Sequence, residues 1–284
     1  MLRRSKYSLY KRSRHIVLSV LFSLVSVMML FPFAYMLCNS FMSPAEILRY
    51  YQPDGTAQFH VIPDSFSLTG WSELLQQDFL FKKFVSSVIL SVIIVFGQML
   101  VSCLGGFAFA KYKFKGDKWI LSALVLLAMM PIQVVLVPNY IVLDKMNLID
   151  SWWTLILPSV FLPFGTLLMT VTFQKIPNEL IEAARIDGAG TWTILWRILV
   201  PVGKGGFISL LLLSFIDAWN MVEQPMTFLH DISAYPLSVF LATAKENIFP
   251  IAFACGALAA LPVLLLFFLC NKQLSKGIEI SDIK

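Results

Sequence analysis

Apolar residues run through this chain in long unbroken stretches, without the alternation of a half-buried strand or the single stripe of a surface helix. Six stretches read as membrane spans against the roughly 20 residues needed to cross a bilayer: Ile16–Cys38, Phe84–Phe109, Trp119–Val142, Trp153–Phe173, Phe207–Met221 and Ile251–Cys270. The fifth is the shortest and carries Asp217. A membrane barrel would show alternating segments of about 10 residues, whereas VSSVILSVIIVFGQMLVSCLGGFAF is apolar on every side. The pattern predicts an all-α membrane protein with six transmembrane helices.

The polar segments between the runs differ in kind. Asn39–Lys83 is punctuated by Pro44, Pro53, Gly55, Pro63 and Gly70, which predicts a small cap of turns and short helices. KYKFKGDK, between the second and third runs, reads as a tight basic turn. Segment 174–206 is longer. Pro177 opens a helix through LIEAARI, Gly188 and Gly190 break it, and Thr191 caps a second helix, WTILWRILV, which Pro201 halts. Ala183 and Ala184 leave a thin helix surface beside the carboxylates of Glu182 and Asp187. Two uses fit it: docking of another protein, or an amphipathic helix along the lipid headgroups. Within the spans, Pro131, Pro138, Pro158 and Pro163 mark kinks, with a hinge conceivable at Pro131 or Pro138.

Composition agrees with a bilayer protein: 284 residues are 58% hydrophobic and 14% charged, with a mean hydropathy of +0.76. The first run follows a basic leader, but it is longer than the core of a secretory signal and reads as a retained anchor. Of the 22 Lys and Arg residues, 17 lie before the first run, between the second and third, between the fourth and fifth, or after the sixth. The positive-inside rule then places both termini in the cytoplasm. Flanking cations of this kind account for the net charge of +5 without nucleic acid. Cys38, Cys103, Cys255 and Cys270 read as reduced thiols, and His15, His60 and His230 are too scattered to suggest a metal or catalytic site. No phosphate-cradling G-x-x-x-x-G-K-[ST], G-x-S-x-G or H-E-x-x-H is present, so the chain reads as a non-enzyme.

Asp217 is the one acidic residue inside a predicted span, and a carboxylate at that depth needs a cavity or a partner. Asp217, Trp219 and Asn220 are therefore candidates to line a path, through hydroxyl-bonding carboxylate and amide groups and a ring-stacking indole. The alternative keeps Trp219 in an interfacial aromatic belt and Asp217 bonded to a neighbouring helix.

Glu182-Ala183-Ala184, Gly188, Ile198 and Pro201 fall on the E-A-A, three residues, G, nine residues, I-x-L-P pattern of binding-protein-dependent ABC importer permeases. Val200 stands for the usual Leu, and Gly205 and Gly206 stand where a proline is frequent. NSFMSPAEI at Asn39, KYKFKG at Lys111, MMPIQVVLVPNY at Met129 and FIDAWN at Phe215 extend the resemblance to the second permease of maltose-type carbohydrate importers, from Asn39 to Lys272. Met221 stands where that family often carries an acid after the Trp-Asn pair.

The resemblance implies a type I ABC importer permease fold in a bacterial cytoplasmic membrane. Residues 1–15 would be a cytoplasmic leader, 16–272 the six-span permease domain with external loop 39–83 and coupling loop 174–206, and 273–284 a cytoplasmic tail. Implied partners are a second homologous permease, two cytoplasmic ATPase subunits and an extracytoplasmic solute-binding protein. The chain itself would hold no cofactor, ATP and Mg being bound by the ATPases. Glu182, Ala183, Ala184, Asp187, Gly188, Ala189 and Gly190 would couple it to them. The implied cargo is a sugar, an oligosaccharide first, with a polyol or glycerol phosphate as the alternative within the class. An ion-coupled secondary carrier would ordinarily show several intramembrane ionisable residues instead of Asp217 alone, and a membrane scaffold would show no ATP-linked uptake.

Overall fold

A computed structural model describes residues 2–51, 58–243 and 249–279; Pro53, Gly55 and the last five residues of the expected tail lie outside them. The regular structure is helical. In chain order the helices are α1 (Leu2–Asn39), α2 (Pro44–Tyr50), α3 (Thr69–Gln76), α4 (Asp78–Lys111), α5 (Asp117–Ala128), α6 (Ile132–Lys145), α7 (Trp153–Val160), α8 (Pro163–Gln174), α9 (Asn178–Ile186), α10 (Thr191–Ile194), α11 (Val200–Val202), α12 (Lys204–Trp219), α13 (Glu223–Phe228), α14 (Leu237–Ala242) and α15 (Ala252–Glu279).

Among the described residues, four stretches are each long and apolar enough to cross a bilayer: His15–Asn39, Asp78–Lys111, Trp153–Gln174 and Ala252–Lys272. Two further pairs reach that length only across a sharp bend, α5 with α6 at 105° and Thr191–Val202 with α12 at 86°, so the total is six when each pair counts once. The third expected span is thus two helices, not one. Pro131 is the cause: it brings no donor and drives Met130 away from helical geometry, so α6 restarts with Pro131 at its N-cap. Pro138, by contrast, sits within α6.

The chain divides into two compact units. One comprises residues 1–77 and 244–258. The bilayer-length part of α1 has none of its window buried, as expected of a helix meeting lipid or another subunit. Its far end carries an aromatic cluster in which Tyr35 stacks on Phe59 at 5.3 Å and meets Phe253 edge-on at 6.0 Å. The Ser43 hydroxyl accepts from the Glu46 amide at 3.2 Å with Pro44 in the first turn, a favoured helix start that fixes α2. α2 and α3 both pack on the turn Phe249–Ile251, giving the short helices expected of the cap.

The other unit, residues 78–243 and 259–284, is built around α4, which packs on α7, α8 and α12. Leu90, Ile94, Cys103, Met169, Phe173 and Leu210 form the centre of its core. Close approach is made possible by missing side chains. A Cβ on Gly106 would stand 2.5 Å from the Met169 Cβ and 2.8–2.9 Å from the α8 backbone, and one on Gly105 would meet Thr166 at 2.8 Å. Between apolar helices in lipid, where no hydrophobic force distinguishes neighbour from solvent, such backbone proximity supplies much of the attraction.

The apolar pattern ends the external segment at Lys83, but α4 starts at Asp78. The discrepancy has a physical reason. Lys83 is buried, and its ammonium donates to the carbonyls of Ile232, Ser233 and Tyr235, each at 2.8 Å, above the Phe79 ring. Its three donors are used, so a charge that reads as a boundary lies inside a helix. One turn on, the Ser87 hydroxyl accepts from the Leu237 amide at 2.7 Å. Lys83→Met would remove three charge-assisted hydrogen bonds, each worth about 1.5–3 kcal/mol, and we expect faster proteolysis of segment 229–237 and a lowered melting temperature. Unchanged proteolysis in the purified variant would refute this role.

Candidate functional site

The polar insert folds as a helix, a glycine turn and a second helix. The start of α9 is held from α4: the Lys111 ammonium donates to the Ile176 carbonyl at 2.6 Å and to the Asn178 side-chain oxygen at 2.9 Å. Ile181 points into the core, and Ala184 and Ala189 pack against it. The end of α9 is closed by two backbone bonds, Ala189 N–H to Ala184 C=O at 2.9 Å and Gly188 N–H to Arg185 C=O at 3.0 Å. This is a Schellman motif, and it requires the left-handed residue that Gly188 supplies at φ +81°. Gly190 has φ −74° and open space around it.

Glu182, Ala183, Asp187, Gly188 and Gly190 are exposed, whereas Ala184 and Ala189 belong to the inner face. The expected set of seven is therefore one contiguous motif with two surfaces. Ile186 was missed by sequence reasoning, yet it is 87% exposed at the tip of α9. Its signal was available, because a bulky aliphatic one residue before the helix-ending Asp187 cannot share the face of Ile181.

The second helix departs from expectation at both ends. Gly190, not Thr191, is its N-cap, and no side chain caps it. Pro201 does not halt it: α10 passes into a π-helical turn, Leu195–Leu199, and continues through Pro201 to Val202. In that turn the Val200 amide bonds to the Leu195 carbonyl, five residues back. The widened turn relieves the clash a proline makes with the carbonyl four residues behind it. Ile194, Leu195 and Leu199 are all but fully buried, so this helix is anchored in protein and α9 is left as the free surface.

Within the membrane portion of the same unit lies a cavity of about 460 Å³, lined among others by Gln98, Met130, Asn139, Phe164, Asp217 and Gln224. Among the described residues, Asp217 is the only charged one in that lining. Of the three candidate path residues, it alone reaches the cavity. Trp219 faces the core, where its indole N–H donates to the Ala259 carbonyl at 3.0 Å and its ring stacks on Phe215 at 5.8 Å. The Asn220 amide turns back to the Ile216 carbonyl at 2.9 Å. Gln98, Asn139 and Gln224 were not anticipated. Gln98 donates to the Ser159 carbonyl at 2.7 Å, while its own side-chain oxygen is buried and unpaired. A mid-span amide in VFGQMLV was the signal, by the same reasoning that picked out Asp217.

Bent spans around a mostly apolar cavity that holds one acid and three amides are the architecture of a polytopic membrane permease. Residues 102–280 match the binding-protein-dependent transport system inner membrane component family, and the chain belongs to that family. Its members are transport subunits of the membrane and not themselves enzymes.

The chain is 26% identical over 289 residues to the arabinooligosaccharides transport system permease protein AraQ of Bacillus subtilis, with all of both chains covered. It also superposes on a chain of a bacterial ABC transporter that imports the acidic polysaccharide alginate, with a TM-score of 0.77 at 20% identity over 92% of this chain and 96% of that one. A second solved structure, of a bacterial alginate ABC transporter with an alginate pentasaccharide-bound periplasmic protein, gives a TM-score of 0.63 at 16% identity over 92% and 94% of the two chains. The fold is that of an ABC importer permease.

Proposed function

We propose that this chain forms half of the translocation path of an ATP-driven importer of oligosaccharides and transmits the power stroke of a cytoplasmic ATPase through α9. The observation that carries the reading is the Schellman-ended helix α9, whose Ile181 is anchored in the core while Glu182, Ala183, Ile186 and Asp187 face outward. A helix tied at both ends can pass force to α4 and α8, and a small-residue surface lets a partner's groove close around it. The chain holds no phosphate-binding motif, so hydrolysis belongs to two partner ATPases. A second permease completes the path, and an extracytoplasmic binding protein delivers the cargo; the alginate transporter in complex with its periplasmic protein supports the second of these partners. The family membership and the oligosaccharide permease among its relatives favour a sugar over a polyol or glycerol phosphate.

The test is the assembled complex in proteoliposomes with its binding protein and a panel of sugars. Oligosaccharide-dependent stimulation of ATP hydrolysis is expected. Uptake that collapses with an uncoupler while ATP is held constant would replace this reading with an ion-coupled carrier. Asp217, which lines the cavity, would bond sugar hydroxyls. Asp217→Asn is then expected to lower uptake by roughly tenfold, the worth of one hydrogen bond to a charged group, with unstimulated ATP hydrolysis unchanged. Full uptake in that variant would remove Asp217 from the path.

A further inference from the structure

The three histidines are far apart in sequence, and none suggested a metal site. In the fold, His60 meets two carboxylates that the sequence also separates from it. Its Nε2 lies 3.3 Å from an Asp64 carboxylate oxygen and 3.8 Å from Oε1 of Glu46. One donor atom from each residue can be chosen so that all lie within 4.8 Å of one another. This Nε2 is buried and has no hydrogen-bond partner, an expensive condition for a polar atom that faces two acids.

We propose that Glu46, His60 and Asp64 form an extracytoplasmic site for a borderline divalent cation, zinc before others. Zinc bonds to nitrogen and carboxylate oxygen are about 2.0–2.2 Å, and the edge of a tetrahedron is about 1.63 times its bond length, so ligand atoms should stand roughly 3.3–3.6 Å apart. The His60–Asp64 separation of 3.3 Å falls in that range, the His60–Glu46 separation of 3.8 Å lies just above it, and the third pair is within 4.8 Å. The ligands are already oriented. Glu46 accepts from the Asp64 backbone amide at 2.6 Å, and Asp64 Oδ2 accepts from the Tyr50 hydroxyl at 2.8 Å, which leaves Oδ1 toward His60.

The imidazole is fixed as well. It stacks on the Tyr50 ring at 4.0 Å and 5°, and the His60 carbonyl accepts from the Tyr51 hydroxyl at 2.7 Å and from the Asn39 amide at 3.2 Å. Hydrogen-bonded carboxylates and a held imidazole are the outer shell that zinc sites use to set ligand direction. Three protein ligands leave a fourth position for water, on the half-exposed Asp64 side. Bound metal would pin the loop around His60 to α2, fixing the cap's shape.

The full chain, purified in detergent through a tag without histidines, would be titrated with Zn²⁺ against a chromophoric chelator and then with Co²⁺ under an absorption spectrometer. One equivalent of zinc per chain is expected, with tetrahedral cobalt bands and no thiolate charge-transfer band. Affinity should fall by at least about tenfold in both His60→Ala and Asp64→Asn. Asp64→Asn keeps an acceptor for Tyr50 on an exposed side chain, so it guards against misfolding of the histidine variant, and monodispersity on size exclusion checks both. The absence of stoichiometric zinc would overturn the site, as would a thiolate band assigning the metal to the exposed Cys38, or equal affinity in the two variants and the parent.

Discussion

Gly188→Pro is expected to lower ATP-driven uptake by about two orders of magnitude while the chain still inserts and assembles. Two independent requirements are violated at once. Gly188 stands at φ +81°, and proline is confined to about −65°. Its amide also donates to the Arg185 carbonyl, a bond that proline cannot make. A proline forced into such a position costs about 3 kcal/mol or more, and each 1.36 kcal/mol depopulates the native turn tenfold.

The damage should stay local, because no atom lies within 4 Å of where a side chain would begin and Ile181 would still anchor the preceding turn. Gly188→Ala keeps the amide and should fall between, since a left-handed alanine costs about 1–2 kcal/mol. Gly190→Ala, at φ −74° in open space, should transport normally. Glu182→Lys gives the surface a fourth cation beside Lys111, Lys113 and Arg185, and should loosen the ATPase from uptake without unfolding α9. Measured together in proteoliposomes, normal uptake by Gly188→Pro would remove α9 from the coupling path.

The two glycines show what one sequence can and cannot disclose. Both were readable as helix breakers, and the E-A-A spacing singled out Gly188 as a position of the family pattern. Only the backbone angles separate the residue that must be glycine from the one that need not be. The apolar runs likewise gave the spans, because roughly 20 residues is a length that sequence records directly. They did not give the 105° break at Pro131, since a proline kinks, restarts or merely curves a helix according to what can satisfy the freed carbonyls.

Long-range pairings were the least legible. Lys83 looked like a boundary charge because its three carbonyl partners lie about 150 positions later in the chain. Trp219 looked like a path residue because its indole could stack on a ring beside Asp217 and Asn220, but a helix turns about 200° over two residues and carried that indole into the core. Asp217 does line the cavity, consistent with the cost of leaving a carboxylate in hydrocarbon.

Gly106→Ala is the second large effect, and here the loss is of the fold. A glycine-to-alanine change inside a helix ordinarily stabilises by about 1 kcal/mol, so intrinsic propensity favours the variant. Packing opposes it more strongly. The new methyl would press on the Met169 Cβ at 2.5 Å and on the backbone carbon and nitrogen of residues 169 and 170 at 2.8 and 2.9 Å. Backbone cannot change rotamer, so α4 and α8 must separate, and overpacking of this kind costs about 1–3 kcal/mol or more. The helix pair at stake is the most extensive in its unit, and its attraction in lipid rests on that close approach. A melting temperature lowered by several degrees in detergent is expected, with less protein recovered from the membrane.

The mechanism makes a sharper demand than the loss itself. At Gly97 the obstruction is the side chain of Val160, so Gly97→Ala should be rescued by Val160→Ala, which removes both nearest methyls. At Gly106 the obstruction begins at a Cβ and continues into the main chain, so Met169→Ala removes none of the three closest atoms and should rescue nothing. Recovery of Gly106→Ala by Met169→Ala would mean that side-chain volume, and not the approach of two backbones, sets the distance between α4 and α8.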